Sequence, residues 1–337
     1  MTDLINALVL LSNFVLIPAI TYGSQLALGA LGITIIYGIL RFANFAYGDL
    51  MAFATTFTIL FTWYFQSIGI SFGVLPTALL AIPFAIIVTI IFCLITDKLV
   101  FGYYRIKKSP SVTIAMVSLG VMFVTNAIVR IIIGPYDRRF ADGERFIIRA
   151  NEFKEMTGLN EGLAIKSTQV LTIVITIIVV SLLFWFLNKT KTGKSMRAYS
   201  DNEDLALLSG ISPARVVMIT WIIVAILATF AGSLYGLDKS FKPFTYFSLL
   251  LPIFASAIVG GIGNPVGALV GGYVIAFSEI IITYAYKKFF AYLLPESLEP
   301  NTLIQFISTD YKFAVSFSIL VIVLLVRPSG ILKGKTL

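Results

Sequence analysis

The 337-residue sequence contains no histidine and a single cysteine, and only 12% of it is charged. Without an imidazole there is no histidine general base. With one thiol, Cys93 inside an apolar run, there is no disulfide, no redox pair and no zinc site built from His or paired Cys ligands. Neither a clustered pair of carboxylates within an apolar stretch nor a metal-ligand set is present, so the chain is not expected to be an enzyme. What is abundant is apolar side chain, 58% of the residues, well above ordinary soluble usage. The expected solvent is a lipid bilayer.

The uncharged stretches run Leu4 to Leu40, Leu50 to Thr96, Ser109 to Val129, Ser167 to Asn188, Val216 to Leu237 and Pro243 to Ser278. A spanning helix needs about 20 apolar residues, so each can cross at least once. An outer-membrane barrel would instead show segments of about 10 residues with alternating polarity. Breakers at Gly69 to Gly73 and Gly260 to Pro265 divide two of the runs. The fold class predicted is an all-α polytopic membrane protein, one domain over 1–337, with about nine spans and bounds of about eight to ten. They are placed near 18–40, 49–65, 74–96, 110–133, 168–187, 214–237, 246–262, 265–285 and 311–326. Leu4 to Ile17 reaches only about 21 Å as a helix, too short to span alone, and adds a tenth crossing only if it extends past Pro18. The first positive charge is Arg41, so no cleavable signal peptide is expected.

Orientation follows from Lys and Arg, which are retained in short cytoplasmic loops. Asp97 to Lys108 carries Lys98, Arg105, Lys107 and Lys108, and the connection 188–215 carries Lys189, Lys191, Lys194, Arg197 and Arg215. Span parity puts both on one side, together with Arg327, Lys333 and Lys335 near the end. That side is expected to be cytoplasmic, as is the C-terminus. The segment 134–167 then lies outside, where its six basic residues are matched by Asp137, Asp142, Glu144, Glu152, Glu155 and Glu161. The net +8 is an inside charge flanking a membrane, not a patterned face for nucleic acid.

The cytoplasmic connection 188–215 is longer than a turn requires. Ser200-Asp201-Asn202-Glu203 fits a capping box, which predicts a short helix carrying Leu205, Ala206 and Leu208 and ending at Gly210. Ser212-Pro213 reads as the cap and first turn of the next span. On spacing alone this is either a solvated connector or a docking element.

Gly193-Lys194-Ser195-Met196-Arg197-Ala198 through Asn202-Glu203-Asp204-Leu205-Ala206-Leu207-Leu208-Ser209-Gly210-Ile211 closely resembles the cytoplasmic loop of permease subunits of branched-chain amino acid ABC importers, the LivH type. Tyr37-Gly38-Ile39-Leu40-Arg41 with Asn44-Phe45-Ala46-Tyr47-Gly48-Asp49 resembles that family's first signature, with Tyr47 where the family has histidine. Gly260-Gly261-Ile262-Gly263 with Gly267-Ala268, and Arg327-Pro328-Ser329-Gly330, resemble its later turn and closing motif. The likeness covers about Ile17 to Ile331. It implies that Arg197, Asn202, Glu203, Leu205, Ala206, Leu208 and Gly210 form a coupling surface gripped by a partner ATPase. It further implies two ABC ATPase subunits that bind ATP and Mg, a second similar permease subunit, an extracytoplasmic substrate-binding protein and location in a cell inner membrane. No cofactor is expected in this chain.

Four further places are worth reading for polar or conformational chemistry. Arg41, Asn44, Tyr47 and Asp49 sit between apolar runs, where a bare ionisable group costs about 2.5–3.5 kcal/mol, so the segment is either an inside turn or a break lining the substrate path. Gly260, Gly261, Gly263, Pro265, Gly267 and Gly271 predict close helix packing and a tight turn; a phosphate loop is excluded by the lack of its lysine. Gly330 to Thr336 is a nearer phosphate-loop mimic, but has three intervening residues instead of four. Glu279, the one acid within a predicted span, either snorkels toward Lys287 and Lys288 or contacts substrate or a partner. The alternative function is a self-sufficient secondary transporter or channel, which also uses broken helices.

Overall fold

The computed structural model describes residues 2–293 and 304–332. Lys333, Lys335 and most of the Gly330–Thr336 mimic therefore lie outside the described residues. The long helices are α1 (Thr2–Leu11), α2 (Ile17–Leu40), α3 (Tyr47–Ser67), α4 (Ala78–Thr96) and, after the short α5 (Gly102–Ile106), α6 (Ser111–Ile133). A small antiparallel pair, β1 (Phe146–Ile148) and β2 (Ile165–Lys166), encloses α7 (Ala150–Thr157). There follow α8 (Ser167–Lys189), α9 (Lys191–Asp201), α10 (Glu203–Leu208), α11 (Pro213–Lys239), α12 (Pro243–Gly260), α13 (Pro265–Thr283), α14 (Lys287–Leu293) and α15 (Lys312–Val326).

Eight helical stretches among the described residues are long and apolar enough to cross a membrane. α3, with 21 residues, is also of spanning length but more polar. Its threonines lose little by burial, because the hydroxyls of Thr55, Thr56, Thr58 and Thr62 each donate to the carbonyl four residues back at 2.7–3.0 Å. The nine helices correspond to the nine stretches read from the sequence. Residues 2–40 form one continuous helical stretch of 39 residues, widened at Ser12–Leu16. The segment before Pro18 thus prolongs α2 instead of crossing separately. It is held beside the 134–167 segment, where Asn6 and Asn13 accept from the Glu161 and Ala164 amides at 3.3 and 3.1 Å.

The core is built around α2, which is buried on all sides against α8, α11, α12 and α13, as a helix apolar all round should be. The outer helices keep an apolar outward face. On α4, Ile87, Ile91 and Ile95 recur every four residues and are all exposed, a stripe suited to lipid. At one end of the bundle, Asp97 accepts from Trp221 Nε1 at 2.8 Å and from Arg105 at 2.9 and 3.0 Å, pinning α4 to α11. The other end carries Asp142, which bonds Gln66 and the Thr77 amide at 2.9 and 2.7 Å.

Candidate coupling surface and transport path

The chain leaves α8 at Thr190, whose hydroxyl accepts from the Gly193 amide at 3.0 Å and starts α9. α9 is amphipathic, with Gly193, Met196 and Tyr199 buried at three-residue spacing against the bundle. This second helix is absent from the sequence reading, which places one short helix here. The capping box is also corrected. Ser200 lies within α9, and Asn202 is the residue that caps α10, its Oδ1 accepting from the Leu205 amide at 3.0 Å. A single extended residue thus joins two helices at an angle. The Ser200 hydroxyl donates instead to the Gly38 carbonyl of α2 at 2.8 Å.

Glu203 does not reach back to a cap; it accepts from the Tyr199 hydroxyl at 2.6 Å. Burial first, and this carboxylate second, push the Tyr199 phenol well above its ordinary pKa, so it remains a donor. Arg197 is exposed and donates to Asn188 at 3.0 Å. On α10 the side chains divide sharply. Ala206 is 3% exposed and holds the helix to the bundle, whereas Leu205 and Leu208 are 61% and 84% exposed. Gly210 follows at φ +79°, the left-handed conformation that ends the helix, and Ser212 precedes α11 without a side-chain cap bond. With Leu207 44% exposed, α10 carries three solvent-facing leucines at its tip, and complete burial of one would contribute about 1.5–3 kcal/mol.

The Arg41–Asp49 segment is a turn at the same end. Arg41 has φ +58°, is exposed, and donates through Nη2 to the Ser200 carbonyl at 2.5 Å. Asn44 is buried and caps locally, accepting from the Ala46 amide at 3.1 Å. Tyr47 is fully buried with its ring laid over Gly32, where a Cβ would collide with the phenol. Asp49 is 1% exposed and accepts from Asn126 of α6 at 2.6 Å. The sequence therefore groups four residues that the fold separates: one faces the α9 loop, and three pack between helices.

The glycine-rich turn is a backbone contact. A Cβ on Gly260 would strike the Gly267 carbonyl, and one on Gly271 the Ser256 carbonyl, so α12 and α13 touch along their backbones. The Gly267/Gly271 pair thus packs against its own hairpin partner. Gly261 and Gly263 take φ of +113° and +84° in the turn, Asn264 caps α13 by accepting from the Val266 and Gly267 amides, and Pro265 occupies its first position. The closing segment locks this turn, since the Ile331 and Leu332 amides donate to Val259 and Gly260 at 2.8 and 3.1 Å. Of the two readings of Glu279, snorkelling toward Lys287 and Lys288 is the one the structure removes. The carboxylate does not extend to solvent, being 1% exposed and accepting from the Ser316 hydroxyl of α15.

Residues 15–324 match the family described as the permease component of branched-chain amino acid transport systems. The chain is 28% identical over 318 residues to the high-affinity branched-chain amino acid transport system permease protein LivH of Escherichia coli K12, covering 93% of this chain and 92% of that one. A probable branched-chain amino acid transport permease protein LivH of Methanocaldococcus jannaschii is 30% identical, covering 95% and 92%. BraD of Pseudomonas aeruginosa, named for the same kind of permease, is 27% identical over 94% of each chain. Among solved structures the chain is similar to PsaBC from Streptococcus pneumoniae, at a TM-score of 0.46 and 12% identity over 97% of this chain and 92% of that one, a likeness too slight to argue from. The chain belongs to the permease-component family of branched-chain amino acid transport systems.

Proposed function

We propose that this chain is the membrane subunit of an ATP-driven importer of branched-chain or similar small amino acids, with no nucleotide site of its own. The observation that carries the reading is the α9–α10 loop: three leucines project from a capped helix that is tied through Ser200 to the end of the central helix α2. In this reading two ABC ATPases that hold ATP and Mg bind the Leu205/Leu208 tip, and their closure moves α10, α9 and then α2. A second, similar permease completes the path, and an extracytoplasmic binding protein delivers the substrate.

The face carrying the α9–α10 loop is the cytoplasmic one, and the membrane is a cell inner membrane. The basic residues Lys98, Arg105, Lys107, Lys189, Lys191 and Lys194 around that face support the assignment. Arg41, Asn44, Tyr47 and Asp49 belong to the substrate path in a more open state. The packing of Asn44, Tyr47 and Asp49 between helices fits a gate that is closed in this conformation. Gly260 to Gly271 keeps α12 and α13 together as one rigid hairpin.

The test is reconstitution of the chain with and without its partner subunits in liposomes. Uptake of leucine, isoleucine or valine is expected only from the full assembly and only with ATP. Transport of these solutes by the chain alone would establish a secondary transporter or channel instead.

A further inference from the structure

A cavity of about 280 Å³ opens between α2, α11, α13 and α15, at the end of the bundle opposite the α9–α10 loop. It lies near the lower bound of small-ligand pockets, about 300 Å³. Glu279 and Tyr22 line it, buried to 1% and 7% exposure. Glu279 uses Oε1 to accept from Ser316; its Oε2 and the Tyr22 hydroxyl lie close enough to interact with each other and with the Lys312 charge, but neither makes a well-formed hydrogen bond among the described residues. A buried carboxylate oxygen left without a donor is costly, and such orphaned groups in a cavity wall mark a place where something else donates.

The rest of the wall narrows the chemistry of that donor. Lys239, Lys242 and Lys312 face the same space together with Asp137; Lys239 is paired with Asp238 at 3.4 Å, and Lys312 holds its ammonium 5.6 Å from the centre of the Tyr22 ring. The Lys242 and Lys312 ammonium groups disfavour a bare metal ion, and no cluster of three metal-ligating side chains exists among the described residues. The Glu279 and Asp137 carboxylates equally disfavour a simple anion. A molecule carrying both charges close together satisfies both sets. Pro18 and Ile280 supply an apolar patch beside them.

We propose that this cavity is a binding station for a zwitterionic α-amino acid with a small apolar side chain. Its ammonium donates to Glu279 Oε2 and the Tyr22 hydroxyl, its carboxylate accepts from Lys312 or its neighbouring lysines, and its side chain lies against Pro18 and Ile280. The proposal rests on the amino acid transport reading and adds a specific site to it, on the side from which substrate would arrive. The site is distinct from the Arg41–Asp49 turn, which sits at the other end of α2.

The test uses cysteine labelling in the assembled permease–ATPase complex in lipid nanodiscs. The sole native cysteine, Cys93, is buried, so a Cys93→Ala parent carrying Thr245→Cys places one reactive thiol in the cavity wall. L-leucine is expected to slow maleimide labelling about tenfold at ten times its Kd, since the free fraction falls as 1/(1 + [L]/Kd). Isocaproate, which lacks the ammonium, and isoamylamine, which lacks the carboxylate, are expected to protect far less. Glu279→Gln is expected to abolish protection by leucine, and Ser316→Ala, which keeps the carboxylate, to retain it. If Glu279→Gln fails to assemble, the analogue comparison decides alone. Equal protection by either analogue, or none by leucine, overturns the site. Amino acid uptake by the Cys93→Ala parent is measured separately: its absence would count against the transport reading, and its presence without protection against the cavity alone.

Discussion

The Arg41 guanidinium donates to the Ser200 carbonyl at 2.5 Å, across 159 positions of sequence. The Ser200 hydroxyl in turn donates to Gly38, one turn before Arg41 on α2. Two bonds thus fasten the end of the most buried helix to the helix that precedes the exposed leucines. A displacement of α9 cannot leave α2 where it is without breaking both.

Arg41→Ala removes the charged bond and leaves the Ser200–Gly38 bond in place. An exposed charge-assisted bond contributes about 1 kcal/mol, so the expected change is about fivefold in the balance between states. In the reconstituted assembly, ATP hydrolysis should persist while leucine uptake per ATP falls by about that factor. Unchanged coupling would show that the strut transmits nothing.

Leu208 is 84% exposed and touches little of its own chain, whereas Ala206 is 3% exposed two residues earlier. Leu208→Glu should therefore leave the isolated permease as stable as before and weaken capture of the ATPase, with a loss of about 1.5–3 kcal/mol from one unburied leucine. Ala206→Glu buries a charge at the root of α10 and should damage the permease itself. Melting of the two variants in detergent, set beside ATPase pull-down, separates the effects. Full ATPase capture by Leu208→Glu would remove the docking role from this tip.

The spans were legible because uncharged length decides them, and the α12–α13 turn because Gly261, Gly263 and Pro265 allow little else. Local chemistry read less well where two residues compete for one role. Ser200 and Asn202 are both good caps, and only the packing of Met196 and Tyr199, which draws α9 onward through Ser200, selects Asn202. α9 itself had a signal in its Thr190 cap and three-residue apolar spacing, hidden by its three basic residues. The partner of Glu279 had none. Ser316 lies 37 residues away on another helix, and no periodicity within α13 points to it.

The α12–α13 contact predicts a steep size dependence. Gly271 faces the Ser256 carbonyl with no room for a Cβ, and both atoms that would have to part belong to backbone. Gly271→Ala should already lower the thermal stability of the purified permease, and Gly271→Val more, by about 1–3 kcal/mol or beyond. Gly120 has nothing within 4 Å of its notional Cβ and serves as the control, Gly120→Ala being expected to be neutral or better. Equal melting of the two alanine variants would mean that the hairpin opens freely.

Asp142 predicts a pH response at the opposite end. Burial alone would raise its pKa, but hydrogen bonds from Thr77 and Gln66 outweigh burial and hold the carboxyl below its ordinary value. A depressed folded pKa means that the carboxylate binds fewer protons folded than unfolded. Its stabilisation is thus complete above the unfolded value of about 3.9 and is lost as pH falls through the lower, folded value. What it stabilises is the connection from Gln66 to Thr77, closing α3 onto α4. Hydrogen-exchange protection of the Thr77 amide, corrected for intrinsic rate, should be constant from neutrality to about pH 4 and fall below it. Asp142→Asn should lower that protection already at neutral pH, by about fivefold for about 1 kcal/mol, and flatten the acid step. An acid step of the same size in Asp142→Asn would assign it to another carboxyl.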